Sequence, residues 1–266
     1  MKKSFGFVVI VLAVLALSCQ PQGRSSKVWL HRANDIAKAK LFQDQYAGLE
    51  VDVHFVDSLN TFIIKHDVDE ASELRLEEWL ASLERRSKLG FWMDFKNLDQ
   101  DNKEASAKEM ARLREAYRLN GMIIVESPNA GCLKAFDDLN FRTSYYIPFA
   151  YPDTLSHEAL QKLTDKIRKN IIENELKTIS GYSFQYQYMK DSFPEMRKLI
   201  WYELSDNKVR DQYIKLAEED ALTDVILRKE SMVPFGTKHR QIPQRRQSNL
   251  VSHKWRQGLQ SLQRLF

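Results

Sequence analysis

The sequence predicts a single-domain α/β protein, a (β/α)8 TIM-type barrel. Three observations lead there. β-like runs and helical stretches alternate from Lys27 to Leu227 with few breaks, the pattern of a parallel sheet. Eight such units fit into about 200 residues, the lower range for α/β barrels. Ionisable residues also stand at or just after several strand ends, where a barrel carries its functional face. No Gly-x-Gly-x-x-Gly follows the first strand, which argues against a dinucleotide fold. The chain has 266 residues and is 43% hydrophobic, enough for one large core.

Residues 1–18 read as a signal peptide. Lys2 and Lys3 precede the apolar run Phe5 to Leu17, then Ser18 and Cys19. A basic start, a short apolar stretch and a small residue before the cut make a secretory signal. The run is shorter than the roughly 20 apolar residues of a spanning helix. Ala16-Leu17-Ser18-Cys19 resembles a bacterial lipobox, which implies lipidation of Cys19 and a membrane-anchored place in the cell envelope, on the periplasmic or outer-membrane face. Residues 19–27, polar with Pro21 and Gly23, read as a tether. Cys132 is the other cysteine of two, so neither an intrachain disulfide nor zinc spacing is expected. The net charge of +4 is too mild and too mixed to argue for nucleic acid.

The barrel spans residues 28–230. Val28 to His31 is a strand, Asp35 to Tyr46 a helix, and Gly48 to Phe55 alternates with period two. Asn60 to Lys65 is an extended excursion in the second loop. Leu74 to Arg86 carries a helical stripe of Leu74, Trp79, Leu80 and Leu83. Strand Gly90 to Phe95, helix Asn102 to Arg118 and strand Met122 to Val125 follow. Next come helix Gly131 to Leu139, strand Thr143 to Phe149 and the long helix His157 to Leu176. The alternating aromatics of Ile179 to Tyr188 predict a strand, and Phe193 to Leu199 a short helix. Ile200 to Leu204, Asn207 to Asp220 and Thr223 to Leu227 complete the series as strand, helix and strand. Residues 231–266 form a basic tail, with seven Lys or Arg and no Asp or Glu after Met232. Its composition is that of a disordered segment; contact with an anionic membrane surface is the second reading.

Chemistry concentrates in four short strings: His31-Arg32, Glu50-Val51-Asp52, His66-Asp67 and Asp94-Phe95-Lys96. Glu50, Asp52 and His54 share strand parity and point to one side, while Val51, Val53 and Phe55 suit packing under helices. Asp94 and Lys96 share parity above Trp92. Carboxylates converging on one mouth repel one another unless paired or bound to metal. Oxygen ligands suit Mg²⁺ or Ca²⁺ rather than zinc. His54 either lines the mouth or caps its strand. Trp201 and Glu203 share parity on a late strand.

In this order the strings resemble the glycerophosphodiester phosphodiesterase family, within the superfamily of phospholipase C-like phosphodiesterases. Asp94-Phe95-Lys96 and the lead-in Leu76-Glu77-Glu78-Trp79-Leu80 are also similar to the related menorin family. The ending Leu222-Thr223-Asp224-Val225-Ile226-Leu227 is similar to the family's final strand. The resemblance implies an acid–base pair of His31 and His66, a phosphate contact at Arg32, and Glu50, Asp52 and Asp94 as metal ligands. Lys96 would neutralise charge on the reacting phosphate, and Glu126 and Tyr145 (or its neighbour Tyr146) would line the substrate wall. Two departures stand out: Ala33-Asn34 replaces the family's glycine and its Pro-Glu-Asn segment, and Asp94 is one methylene shorter than the usual Glu.

The function expected from these residues is metal-dependent hydrolysis of glycerophosphodiesters or phospholipid-type head groups at the envelope. One alternative is a non-catalytic surface lipoprotein that uses the mouth to bind a ligand or partner. Another is a glycoside hydrolase using Glu126 and Glu203.

Overall fold

A computed structural model describes residues 26–201 and 215–229. The elements run β1 (Val28–His31), α1 (Ile36–Phe42), β2 (Gly48–Val56), β3 (Thr61–Ile64), α2 (Leu76–Ser82), β4 (Gly90–Phe95) and α3 (Lys103–Ala116). Then follow β5 (Ile123–Ser127), α4 (Lys134–Asp137), β6 (Arg142–Tyr146), α5 (His157–Glu173), β7 (Thr178–Tyr182), α6 (Tyr186–Ser192), β8 (Arg197–Trp201) and β9 (Thr223–Lys229). Local signals start the helices: Asp35 accepts from Lys38 N at the head of α1, and Ser156 accepts from Ala159 N at the head of α5, satisfying amides a helix leaves open. Leu163, Ile167 and Ile171 give α5 one buried stripe.

Eight strands close on themselves in the order β1, β9, β8, β7, β6, β5, β4, β2, with β2 returning to β1. Each pairing in this ring is parallel. The predicted eight-stranded α/β barrel is therefore the fold. β3 lies outside the ring, antiparallel to β2. Val53 meets Ile64 on one edge and Phe95 on the other, so β3 continues the edge that β1 occupies lower down at Leu49. The excursion expected at Asn60 to Lys65 is thus a hairpin arm that prolongs β2 beyond the barrel.

Strand parity divides the core in two. Val51, Val53, Phe55, Phe91, Met93 and Phe95 face outward and pack with Trp79, Met110 and Phe136. Inside the ring, Trp29, Trp92, Ile124, Leu199, Trp201, Val225 and Leu227 form a smaller cluster. Trp29 closes its lower end. A Cβ on Gly48 or Gly90 would come within 2.3 Å of that indole, so glycine at the start of β2 and β4 is what lets the ring fill the floor.

Three expectations shift. The extended reading of Ile179 to Tyr188 holds only to Tyr182. There Gln185 Oε1 accepts from Tyr182 N at 3.1 Å, and Gln185 Nε2 donates to Pro148 O at 3.0 Å. The chain turns at that point, and Tyr186 and Tyr188 belong to α6. The helix expected over Phe193 to Leu199 is instead a connection through residue 196 and then the first residues of β8, which begins at Arg197; a short apolar run does not distinguish strand from helix by periodicity. The helix at Gly131 to Leu139 is a 3₁₀ turn followed by the single turn of α4. The signal peptide, Cys19, the basic tail from residue 230, Glu203 and residues 207–214 of the predicted helix lie outside the described residues.

Gly90→Ala is expected to destabilise the protein by about 1–3 kcal/mol, the usual cost of overpacking. Gly131→Ala, whose Cβ would stand 3.5 Å from its nearest neighbour, serves as the control that changes little. Urea unfolding followed by tryptophan fluorescence measures both.

Candidate active site

The carboxyl end of the barrel gathers the four strings. β1 ends at His31, and the chain then takes a left-handed step at Arg32, φ 51°. Such a conformation at a non-glycine residue costs of order 1–3 kcal/mol unless its surroundings hold it. Here Arg32 N donates to Glu50 Oε2 at 2.5 Å, and Lys38 Nζ donates to the carbonyls of His31 at 2.8 Å and Arg32 at 2.7 Å. Trp79 Nε1 ties down Ala33 O at 2.8 Å. The loop is thereby folded over the end of β2.

Glu50 and Asp52 on β2 and Asp94 on β4 bring carboxylate oxygens within 4.8 Å of one another. All three side chains are buried. Lys96 Nζ pairs with Asp52 Oδ1 at 2.8 Å and with Asp94 Oδ2 more closely still. Asn34 Nδ2 donates to Asp52 Oδ2 at 2.6 Å, and its Oδ1 accepts from Asp52 N at 3.0 Å. Asn34 was not among the sequence candidates. It positions Asp52 from a loop, where strand parity has no say.

Burial decides the protonation. It lifts Glu50 well above the usual carboxylate value, and the charges of Asp52 and Asp94 add to that. Burial also pushes Asp94 up to about 7, against the pull of Lys96. At Asp52 burial acts in the same sense, but Lys96 and Asn34 together outweigh it and hold the pKa below the ordinary value. His31 Nε2 lies 3.7 Å from Glu50 Oε2. Burial, then the charge of Arg32, lower His31 to about 3, so its ring is neutral near pH 7. Glu50 Oε1 and both ring nitrogens of His31 are buried without a hydrogen-bond partner. Buried polar atoms are rarely left so. An oxygen-rich set with an orphaned carboxylate oxygen fits a hard divalent cation, which would replace protons on Glu50 and Asp94.

His66 stands across the mouth on the loop after β3. Its Nδ1 lies 2.7 Å from Asp67 Oδ1, and its Nε2 lies 2.6 Å from Arg32 Nη2. A guanidinium only donates, so Nε2 is the acceptor and Nδ1 carries the proton given to Asp67. Glu70 Oε2 accepts from His66 N at 2.8 Å and holds the loop. His54, the next inward residue above Asp52, is buried with Nε2 3.5 Å from His66 O; it lines the inner side and steadies this loop.

Two expected wall residues are corrected. Tyr145 faces outward into the larger core, where its hydroxyl accepts from Asn170 Nδ2 at 2.8 Å. Alternation turns Tyr146 inward in its place, against Trp201 at 5.7 Å. Glu126 is fully buried inside the barrel. It accepts from Trp92 Nε1, from Ser180 Oγ at 2.7 Å and from Trp201 Nε1 at 2.9 Å. It is an internal anchor for two indoles rather than part of the substrate wall, which also removes one carboxylate from the glycoside hydrolase reading.

No family model and no curated protein matches the sequence. Solved structures do match. A glycerophosphodiester phosphodiesterase from Parabacteroides distasonis superposes with a TM-score of 0.53 at 15% identity, over 76% of this chain and 92% of the other. A phosphodiesterase from Oleispira antarctica, solved with the product sn-glycerol-3-phosphate, gives 0.53 at 13% identity, over 76% and 92%. A calcium-dependent phosphoinositol-specific phospholipase C from Pseudomonas gives 0.50 at 10% identity, over 76% and 88%. The chain shares their fold. At these identities the likeness concerns the backbone.

The coupling of Asp94 to protons sets a pH test. Its pKa near 7 in the fold exceeds the 3.8 of a free aspartate. Its charging therefore costs stability as pH rises through 7, and a bound cation recovers that cost. Mg²⁺ or Ca²⁺ at about a hundred times its Kd should raise Tm by about 5–10 °C at pH 8 and by less at pH 6. Thermal melts with cation or chelator at the two pH values check this.

Proposed function

We propose that this chain is a metal-dependent phosphodiester hydrolase acting on glycerophosphodiesters or phospholipid-type head groups. The observation that carries the reading is the convergence of Glu50, Asp52 and Asp94 within 4.8 Å, beside Lys96, Arg32 and an imidazole whose Nε2 is an acceptor. The shared barrel and the phosphodiesterases that bear it support the reading.

Each side chain then has a task. Arg32, already at the mouth, binds a non-bridging phosphate oxygen. Lys96 offsets the charge that builds on the phosphate. His66, its Nδ1 proton fixed by Asp67, presents a lone pair at Nε2 and takes the proton of the attacking hydroxyl. His31 is the partner. It is neutral without substrate, and an anionic diester beside it favours the charged ring that protonates the leaving alkoxide. A divalent cation, Mg²⁺ or Ca²⁺, held by Glu50, Asp52 and Asp94 would supply Lewis-acid stabilisation of the phosphate oxygens. Asn34 keeps Asp52 aimed at that place.

A second reading, a ligand-binding lipoprotein without turnover, draws on Lys96. Its ammonium already pairs with Asp52 and Asp94, and Arg32 lies 3.9 Å from Asp52, so the two aspartates have two side-chain cations beside them without a metal. Hydrolysis separates the two. Glycerophosphocholine cleavage, followed by ³¹P NMR, should require Mg²⁺ or Ca²⁺ and stop with chelator. It should fall by about 10²–10⁴-fold in His66→Ala, the usual worth of an acid–base group. A transient cyclic phosphate in the same spectra marks attack by a neighbouring substrate hydroxyl; its absence marks attack by water. Turnover that survives chelator and both His31→Ala and His66→Ala would refute the assignment.

We further propose that the barrel of residues 28–230 is tethered to the cell envelope by lipid on Cys19, with residues 231–266 as a basic tail. Cys19→Ala is expected to move the protein from the membrane fraction to the soluble fraction of envelope extracts, read by immunoblot.

A further inference from the structure

An aromatic ladder leads out of the site on the side opposite the hairpin arm. It starts at Trp201, whose ring lies 5.4 Å from Lys96 Nζ. Tyr182 follows at 6.1 Å from Trp201, Phe184 stacks on Tyr182 at 5.3 Å with an 8° tilt, and Tyr151 stacks on Phe184 at 4.7 Å. Phe149 sets its ring edge-on against Phe184 and Tyr151, and Tyr146 flanks Trp201. These residues sit at the ends of β6, β7 and β8 or in the loops just after them, the same end as the carboxylates. Trp201 is 5% exposed and Tyr151 45%, with Tyr182 and Phe184 half-buried between them. The strip therefore grades from barrel interior to solvent.

We propose that this ladder binds the aliphatic chain of an amphiphilic phosphodiester, so that the site prefers a diester with one long alkyl or acyl arm. The inference rests on the phosphodiesterase reading for the position of the phosphate, between Arg32 and Lys96. A planar ligand would stack on a free ring face, yet Phe184 already stacks with two rings, Tyr182 and Tyr151. What the ladder offers is a succession of rings in contact from Trp201, beside Lys96, out to Tyr151. An extended chain lies along such a strip and buries a methylene at each step. Continuity with the charged centre identifies the occupant as part of the substrate. A strip that begins beneath Lys96 needs an arm covalently joined to the anion that Lys96 would hold.

The test is a binding series with the full chain, read by tryptophan fluorescence in chelator, where no turnover is expected. Butyl-, hexyl-, octyl- and decylphosphocholine serve as probes below their micellar concentrations. The Kd should fall about twofold per added methylene, half the gain of full burial. Tyr151→Ala and Phe184→Ser should flatten that slope and leave the Kd of the butyl probe unchanged; if Phe184→Ser fails to fold, the half-exposed Tyr151 variant decides. A Kd independent of chain length overturns the proposal, as does tighter binding of a phenyl or cyclohexyl arm than of hexyl. Binding to phosphatidylcholine vesicles with no chain-length dependence among monomers overturns it in favour of a bilayer contact. A flat series together with metal-dependent cleavage of glycerophosphocholine removes the ladder assignment alone. A steep series without any cleavage keeps the ladder and removes the hydrolase.

Discussion

Three carboxylates buried at one end of an apolar cylinder are the constraint around which the rest is arranged. Placed within 4.8 Å of one another, they cannot all carry charge without strong neighbours. Burial raises Glu50 and Asp94, and only Asp52, held by Lys96 and Asn34, stays below the ordinary range. Such a cluster is a poor way to stabilise a fold, since buried ion pairs recover little more than their desolvation cost. An apolar trio would pack the mouth at lower cost. The backbone around the cluster is also bent to serve it: Arg32 adopts φ 51° so that its amide can meet Glu50. On the proposed reading, strain and buried charge meet at one place because the site is kept for chemistry.

Support for that site comes from below. Trp29 fills the floor, and Trp92 and Trp201 form the layer above it. Both upper indoles donate to Glu126, which Ser180 also meets. Burial raises the pKa of a carboxyl so enclosed well above the usual value, against the hydrogen bonds from Ser180 and Trp201. Glu126 thus orients two large rings beside Asp94, its register partner on β4, where burial disfavours a fourth carboxylate charge. Trp201 in turn packs edge-on against His31 at 5.4 Å. The same ring thus touches His31, the proposed acid–base residue, on one side and Tyr182 of the aromatic ladder on the other.

Much of this was legible before the structure, and the limits are physical. Period-two alternation on β2 and β4 correctly sent Glu50, Asp52 and Asp94 inward and Val51, Val53 and Phe55 outward, because side-chain direction on a strand follows from residue count alone. Count fails where backbone geometry is irregular. Asn34 and Gln185 act from turns, and their roles depend on which amide happens to pass within reach. Tyr145 and Tyr146 were separable only by the register of β6, and one residue of register exchanges core for mouth. The aromatics from Tyr182 to Tyr188 alternate like a strand but cover a turn and the start of α6. Glu126 stands at the end of the predicted strand Met122 to Val125, but its depth is not readable from the sequence, because the indoles that claim it come from β4 and β8.

The described state is self-neutralised, and that has a consequence for how a substrate would enter. Lys96 spans Asp52 and Asp94, and Arg32 donates to His66 while lying 3.9 Å from Asp52. Both cations the proposed reaction needs for phosphate are therefore engaged inside the protein. On the proposed reading, a divalent cation on the carboxylates would free the ammonium of Lys96 to turn toward the phosphate. An anionic diester would likewise compete with His66 for the guanidinium of Arg32, leaving Nε2 open to a proton. The cation would then favour the diester by releasing the ammonium that the phosphate requires, and by linkage the diester would favour the cation to the same extent. With the cation alone, the freed ammonium of Lys96 would stand unpaired at the mouth, the more costly arrangement.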